Sequence, residues 1–279
     1  MQLIRLKTTQ DERLDAFCRL TDHELRNRLE PELGICIAET EKVVRLGLSC
    51  GIEPLSLLVD DHGLERIGDA LEGIPGDVPV FVLPTEEVSR LTGYNVTRGI
   101  HCAFRRPVPP PAREVLEGAR LVAVLDGITD ATNVGAIVRS AAALGVDAVL
   151  LSPTCADPLT RRALRVSMGT IFQIPWARLG SSARDWPAEG IDALHRAGMA
   201  CVAMALEDDS VDLGDPSLAR LGRLALLFGT EGEGLSPRAI GLCDATVRIP
   251  MSNGVDSLNV AASSAVAFWE LGKGRPRRA

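Results

Sequence analysis

The sequence predicts an α/β protein of two domains, the second built on a parallel sheet. Near-continuous apolar runs such as LVAVLDG (121–127) and RLALLFGT (223–230) have the character of strands covered on both faces. Helix-like stretches alternate with these runs through the second half. Residues 105–113, RRPVPPPAR, interrupt the chain with a proline cluster that favours an extended segment with no core of its own.

In the first half, CIAETEKVVRLGLSCG (36–51) reads as a helix, PLSLLVD (54–60) and VPVFVLP (78–84) as strands. TEEVSRLTG (85–93) reads as a short helix capped by Thr85 and closed by Gly93. Nothing in this half has the look of a catalytic constellation. Beyond the prolines, the strand LVAVLDG leads to a helix, TNVGAIVRSAAALG (132–145), stopped by Gly145, and then to a strand, VDAVLLS (146–152). MACVAMAL (199–206), RLALLFGT and ATVRIPM (245–251) supply further strands. Ligands of such a sheet bind at the carboxyl ends of its strands.

The 279 residues suffice for two cores, and a 46% hydrophobic content describes a globular chain. No apolar run approaches the length of a membrane span. The N-terminal MQLIRLKTTQDERLDAF carries charge where a signal peptide needs an apolar stretch. A cytoplasmic protein without membrane contact is expected. The formal charge of −7 argues against electrostatic coating of bulk nucleic acid but leaves room for local basic patches. Two candidates are Arg161, Arg162 and Arg165, and the terminal GKGRPRRA, whose plainer reading is a solvated end. The seven cysteines form no CxxC and the histidines no HExxH, so no metal site is expected and the thiols read as reduced and buried.

Three strand ends carry the polar residues that matter. In DGITDATNVGAIVRS (126–140), Asp130 or Thr132 is placed to cap the helix, and Asn133 to face the crevice. Gly135 and Arg139 stand four apart on one helical face. An Arg in so apolar a helix either pairs with a structural carboxylate or has work to do, and function is favoured because idle burial is costly. LFGTEGEGLS (227–236) is neither GxGxxG nor a Walker loop. Its Glu231 suits hydroxyls, an amine or a cation better than phosphate. In VRIPMSNGVDSLNVAASSAVAFWEL (247–271), an irregular loop follows Ile249-Pro250-Met251, and Ser257 or Asn259 caps a helix rich in Ala and Ser. Such small residues allow close backbone approach, through tight packing within the domain or at a subunit interface.

In order and spacing, Asn133-x-Gly135-x3-Arg139, Gly229-x-Glu231-x2-Gly234 and Ile249-Pro250-Met251 with Ser257-Leu258-Asn259-Val260 resemble the three-motif signature of the SpoU (TrmH-like) family. These are RNA ribose 2′-O-methyltransferases of the SPOUT superfamily. The resemblance spans roughly residues 118–272. It implies a SPOUT-type parallel sheet with a deep trefoil knot, which general topology rules alone would not suggest. It also implies S-adenosyl-L-methionine as cofactor, ribosomal or transfer RNA as substrate, and a homodimer formed by the C-terminal domain. On it, Asn133, Arg139, Glu231, Ser257 and Asn259 are the catalytic residues. Leu227, Gly229, Gly234, Ile249, Pro250, Met251 and Leu258 hold the cofactor, and Arg161, Arg162 and Arg165 meet RNA. More loosely, the N-terminal half is similar to a small ribosomal-protein-like RNA-binding domain, through Gly99-Ile100 and Arg106-Pro107. The expected division is a substrate RNA-binding domain over 1–105, a linker over 106–115 and a methyltransferase domain over 116–279. Two rivals are a non-catalytic RNA-binding protein of the same fold, opposed by the intact polar set, and a nicotinamide-dependent oxidoreductase, opposed by the missing GxGxxG.

Overall fold

The computed structural model describes residues 2–18, 30–92 and 99–273, which divide into two compact units. The first comprises Met1–Val108 together with Leu159–Phe172, and the second Pro109–Pro158 with Gln173–Ala279.

Among the described residues of the first unit, five strands form one sheet in the order β1-β4-β3-β5-β2. These are β1 (Gln2–Arg5), β2 (Ile35–Glu39), β3 (Pro54–Asp60), β4 (Pro79–Leu83) and β5 (Ile100–Arg105). β1, β4 and β3 run parallel, while β5 is antiparallel to β3 and β2. Its longer helices are α1 (Glu41–Ser49), α2 (Asp61–Leu71) and α3 (Thr85–Thr92). The expected single helix over 36–51 is a strand followed by a helix. All five residues of β2 are buried, so ICIAE pairs with β5 and the helical period starts only at Glu41. Thr85 begins α3 rather than capping it, and its hydroxyl donates to Asp60 Oδ2 at 3.2 Å. Asp60 also caps α2, its Oδ1 accepting from the Gly63 N–H at 2.6 Å. Gly93 lies outside the described residues.

Residues 159–172, which the expected division places in the second domain, cluster with the first unit. Their short helix, Arg161–Val166, is capped by Thr160 and sets two of its arginines, Arg161 and Arg165, against carboxylates of the first unit. Arg161 is buried, with Nε 2.6 Å from Glu30 Oε1 and Nη2 donating to the Ala16 carbonyl at 3.0 Å. Arg165 pairs with the buried Glu39. The helix therefore does not present Arg161 and Arg165 as an open basic patch, because each neutralises a buried carboxylate of the same unit. Removing one partner of a buried pair costs about 3–5 kcal/mol through the charge left behind.

In the second unit, seven strands form one parallel sheet in the order β10-β12-β9-β11-β6-β7-β8 among the described residues. They are β6 (Leu121–Leu125), β7 (Ala148–Leu151), β8 (Trp176–Arg178), β9 (Ala200–Met204), β10 (Val211–Asp212), β11 (Leu224–Phe228) and β12 (Ala245–Arg248). The longer helices are α4 (Ala131–Leu144), α5 (Ala188–Arg196) and α6 (Val260–Gly272). β6 and β11 are buried at every residue, as their uninterrupted apolar runs predict. Asp147 pins the start of β6, its Oδ2 accepting from the N–H groups of Arg120 at 2.7 Å and Leu121 at 2.9 Å. Asp130 caps α4 and Gly145 ends it in the left-handed region at φ 80°. α6 packs along α4, and its fully buried Phe268 meets Phe228 of β11 edge-on at 5.5 Å.

In the first unit, His101 of β5 is buried with no hydrogen-bond partner at Nδ1 among the described residues. Burial holds its imidazole down at about 4 against an ordinary 6.5; Glu39 opposes this, while Arg161 and Arg165 reinforce it. The unfolded chain takes up a proton near 6.5 and the folded one only near 4, so stability is full above that window and falls through it. Hydrogen exchange in β2 and β5 should report a loss of about 1–2 kcal/mol between about pH 6.5 and 5. His101→Phe should flatten that slope. A native profile already flat over this range would contradict a buried neutral imidazole.

Candidate active site

The carboxyl ends of β9, β11 and β12 open onto a cavity of about 650 Å³. Two stretches of backbone form most of its wall, the turn after β11 and the irregular strand after β12. In the first, Thr230 and Gly234 exchange two backbone hydrogen bonds of 3.1 Å, closing a tight loop around Glu231, Gly232 and Glu233. Gly232 at φ 93° and Gly234 at φ 67° occupy conformations that disfavour side chains. Gly229 is required for another reason. A Cβ there would lie 2.1 Å from the carbonyl carbon of Gly234 and 2.3 Å from the Leu235 nitrogen. The glycine thus lets the loop fold back on its own stem.

Asn133, Glu231 and Asn259 meet beside this loop. Asn133, buried in the first turn of α4, donates from Nδ2 to Glu231 Oε1 at 2.8 Å. Asn259 Nδ2 donates to the same oxygen and, at 3.2 Å, to Asn133 Oδ1. The Asn259 Oδ1 accepts from the Ala261 N–H at 2.9 Å, so the residue that caps α6 also closes the polar ring. Glu231 Oε2 has no hydrogen bond among the described residues and is left to accept from a hydroxyl or ammonium.

Glu207, Glu231, Glu233 and Asp256 line the cavity against one cation, Arg248, whose Nε is engaged by Asp212 at 2.9 Å. The lining is therefore net negative. It favours a cationic ligand over a phosphate-bearing one, and no lysine is among its lining residues.

The other expected site residues fall into distinct places. Gly229, Gly234, Ile249, Met251, Ser257 and Leu258 line the cavity. Pro250 is exposed between two lining residues without being one itself. Leu227 does not line the cavity: its side chain is fully buried in the core with Val124 and Ala203, one residue before the lining Phe228. Arg139 does not line the cavity. It is exposed on α4, with no hydrogen bond or ion pair among the described residues, so no structural carboxylate there engages it. Arg162 is exposed on the short helix of the first unit. Leu206, Glu207, Glu233 and Asp256 were not singled out from sequence. Their one legible signal is position, since 205–207 follow the carboxyl end of β9.

A model of the SpoU rRNA Methylase family matches residues 120–269, more than half of the chain and all three loops. The chain belongs to this family. It is an RNA methyltransferase of the SpoU type, with the parallel α/β sheet of such enzymes. An uncharacterized tRNA/rRNA methyltransferase of Mycobacterium bovis is 41% identical over 262 residues, covering 93% of this chain and 88% of that protein. A 23S rRNA (guanosine-2′-O-)-methyltransferase of Burkholderia is 34% identical over 165 residues, 59% of this chain and 64% of its own length. The AdoMet-bound rRNA methyltransferase from Sinorhizobium meliloti has the same fold, with a TM-score of 0.80 at 23% identity, covering 97% of this chain and 98% of that one. No helix among the described residues is long and apolar enough to cross a membrane.

Gly229→Ala tests the SpoU loop geometry directly. Its Cβ meets backbone that no rotamer change can move, so the loop must open. A stability loss of about 1–3 kcal/mol in urea unfolding is expected, the usual scale of overpacking, together with loss of ligand binding in the cavity. Unchanged stability and binding would mean that the loop is not closed in solution.

Proposed function

We propose that this protein transfers a methyl group from S-adenosylmethionine to a ribose 2′-hydroxyl of ribosomal or transfer RNA. The observation that carries this reading is the ring of Asn133, Glu231 and Asn259 at the edge of an acidic cavity walled by backbone. S-adenosylmethionine fits the residues present, being a cation with an ammonium, a ribose and an adenine but no phosphate. When bound, it would supply a methyl group on a positively charged sulfur to the ribose oxygen, the thioether leaving with the C–S electron pair and the hydroxyl proton passing to solvent. The backbone at Gly229, Ile249, Met251 and Leu258 would hold it, while Glu231 and its neighbours answer its positive charge.

Asn133 and Asn259 both spend amide N–H donors on Glu231, which fixes the carboxylate and leaves Oε2 to orient a hydroxyl or ammonium. Ser257 lines the cavity and is exposed, with a hydroxyl suited to the incoming ribose. A guanidinium keeps its proton at neutral pH, so Arg139 is assigned as a clamp on the phosphate beside the reacting ribose and a stabiliser of the developing alkoxide. It lies outside the lining of its own subunit's cavity. We therefore assign it to the site of a second copy in a homodimer. What supports this is the outer face of α6, where Ala262, Val266 and Trp269 are exposed at helical spacing, Trp269 at 58%.

The threaded trefoil of the family is part of the same reading, as are a role for the first unit in substrate RNA and a cytoplasmic location. Arg5, Arg13, Arg45 and Arg105 of the first unit are each paired with a carboxylate, so RNA affinity there should rest on shape and a few free cations, not on a basic stripe.

Single-turnover methylation of RNA from a strain lacking the protein, with 2′-O-methyl mapping by resistance to alkaline cleavage, tests the activity; a methyl group found only on a base would overturn it. Arg139→Lys keeps the charge and loses the planar fork. It should cost about 2–4 kcal/mol of transition-state stabilisation, the scale of one preorganised donor, with cofactor affinity unchanged by calorimetry. A near-normal rate would refute the clamp. Trp269→Asp should give monomers by light scattering and lose turnover. A fully active monomer would refute the shared site.

A further inference from the structure

At the opposite end of the parallel sheet from the cavity, three side chains from separate elements converge. His195 lies in the last turn of α5, Cys201 is the second residue of β9, and Asp244 immediately precedes β12. One ligand atom from each, an imidazole nitrogen, the thiol sulfur and a carboxylate oxygen, all lie within 4.8 Å of one another. His195 Nε2 is 3.1 Å from Asp244 Oδ2. That same oxygen accepts from the Cys201 N–H at 2.7 Å, and the Asp244 N–H donates to the Cys201 carbonyl at 2.8 Å. The carboxylate is thereby held against β9 before any ligand arrives. A histidine–aspartate pair alone, or a buried thiol alone, has an ordinary structural explanation. The meeting of all three is what that explanation leaves over.

We propose that His195, Cys201 and Asp244 form a zinc site, with water as the fourth ligand. Thiolate, imidazole and carboxylate together select Zn2+ over the hard cations calcium and magnesium, which take oxygen ligands. Cys201 is fully buried and supplies the fixed floor of the site. The side chains of His195 and Asp244 are 39% and 52% exposed, free to close in to zinc's bonding distances and open to the completing water. Burial first, with Cys243 and Asp244 beside it, pushes the Cys201 thiol up to about 12, so its proton leaves to solvent as the metal–sulfur bond forms. The site would tie α5 and β9 to the turn before β12, the strand that runs on into the cavity wall at Ile249. None of the three residues lines the cavity, and the site stands whether or not the ribose methylation reading does.

The test uses the full chain, reduced, titrated with Co2+ and then with Zn2+. Cobalt should give a thiolate-to-metal charge-transfer band that saturates at one equivalent and is displaced by zinc. Cys201→Ser should abolish the band. His195→Ala and Asp244→Asn should each weaken zinc binding by at least about tenfold, since even outer-shell partners of a metal are worth roughly that much. Because both lie at the surface, these two variants decide the matter even if Cys201→Ser fails to fold. Absence of the band, its survival in Cys201→Ser, or unchanged zinc affinity in the two surface variants would overturn the site. All variants that fold should bind S-adenosylmethionine as the native chain does, and loss of that binding in the surface variants would contradict the separation of the two sites.

Discussion

One carboxylate oxygen, Oε1 of Glu231, accepts from two asparagines, and the geometry of the site depends on it. Asn133, Glu231 and Asn259 come from the first turn of α4, the loop after β11 and the cap of α6. Each asparagine has a second duty. Asn133 is buried where α4 begins, and Asn259 starts α6, which packs along α4 and puts Phe268 on Phe228. Local helix capping, core packing and the polar ring are therefore satisfied by one arrangement and strained by any other. A carboxylate so held needs no reorganisation when a ligand arrives, which is the condition under which a polar site is most effective.

The parallel sheet explains why the ring stands where it does. β11 lies between β9 and β6 with its whole length buried, so the chain can meet solvent only at its ends. The loops that leave β9, β11 and β12 at the carboxyl end share one cavity because these strands are neighbours in the sheet. Charge then narrows what the cavity accepts. Four carboxylates against one engaged arginine make it a poor home for pyrophosphate and a good one for a sulfonium. A glycine turn usually belongs with phosphate. Here its glycines serve backbone closure, Gly229 by having no Cβ to strike Gly234, and the carboxylate on the turn is compatible with the ligand.

Much of this was legible from residue order. The apolar runs mark β6, β7, β9 and β11, Gly145 marks the end of α4 and Asp130 or Thr132 its start, and the three polar motifs mark the cavity. The misreadings have physical causes. The CIAE stretch reads as the start of a helix because it runs straight into one; pairing with β5 makes it a strand. Leu227 carries a motif position but a core side chain, since a strand buried on both faces hides all its residues alike. Arg161 and Arg165 looked like a basic patch because the acids that neutralise them, Glu30 and Glu39, lie more than a hundred residues earlier in the chain. The His195, Cys201 and Asp244 cluster has no spacing signature, being assembled by the adjacency of β9 and β12.

The return of residues 159–172 to the first unit bears on modularity. The proline-rich stretch invites a cut there, as though two beads could be unstrung. Such a cut would strand Glu30 and Glu39 inside one fragment without their cations. It would leave Arg161 and the apolar residues around it unsheltered in the other. The second half of the chain thus carries an insert of its neighbour's core, and the first unit is incomplete until synthesis has passed residue 172. In evolutionary terms, the N-terminal module could not be exchanged for another by joining ends at the prolines; the exchange would have to include a matching segment 50 residues further on.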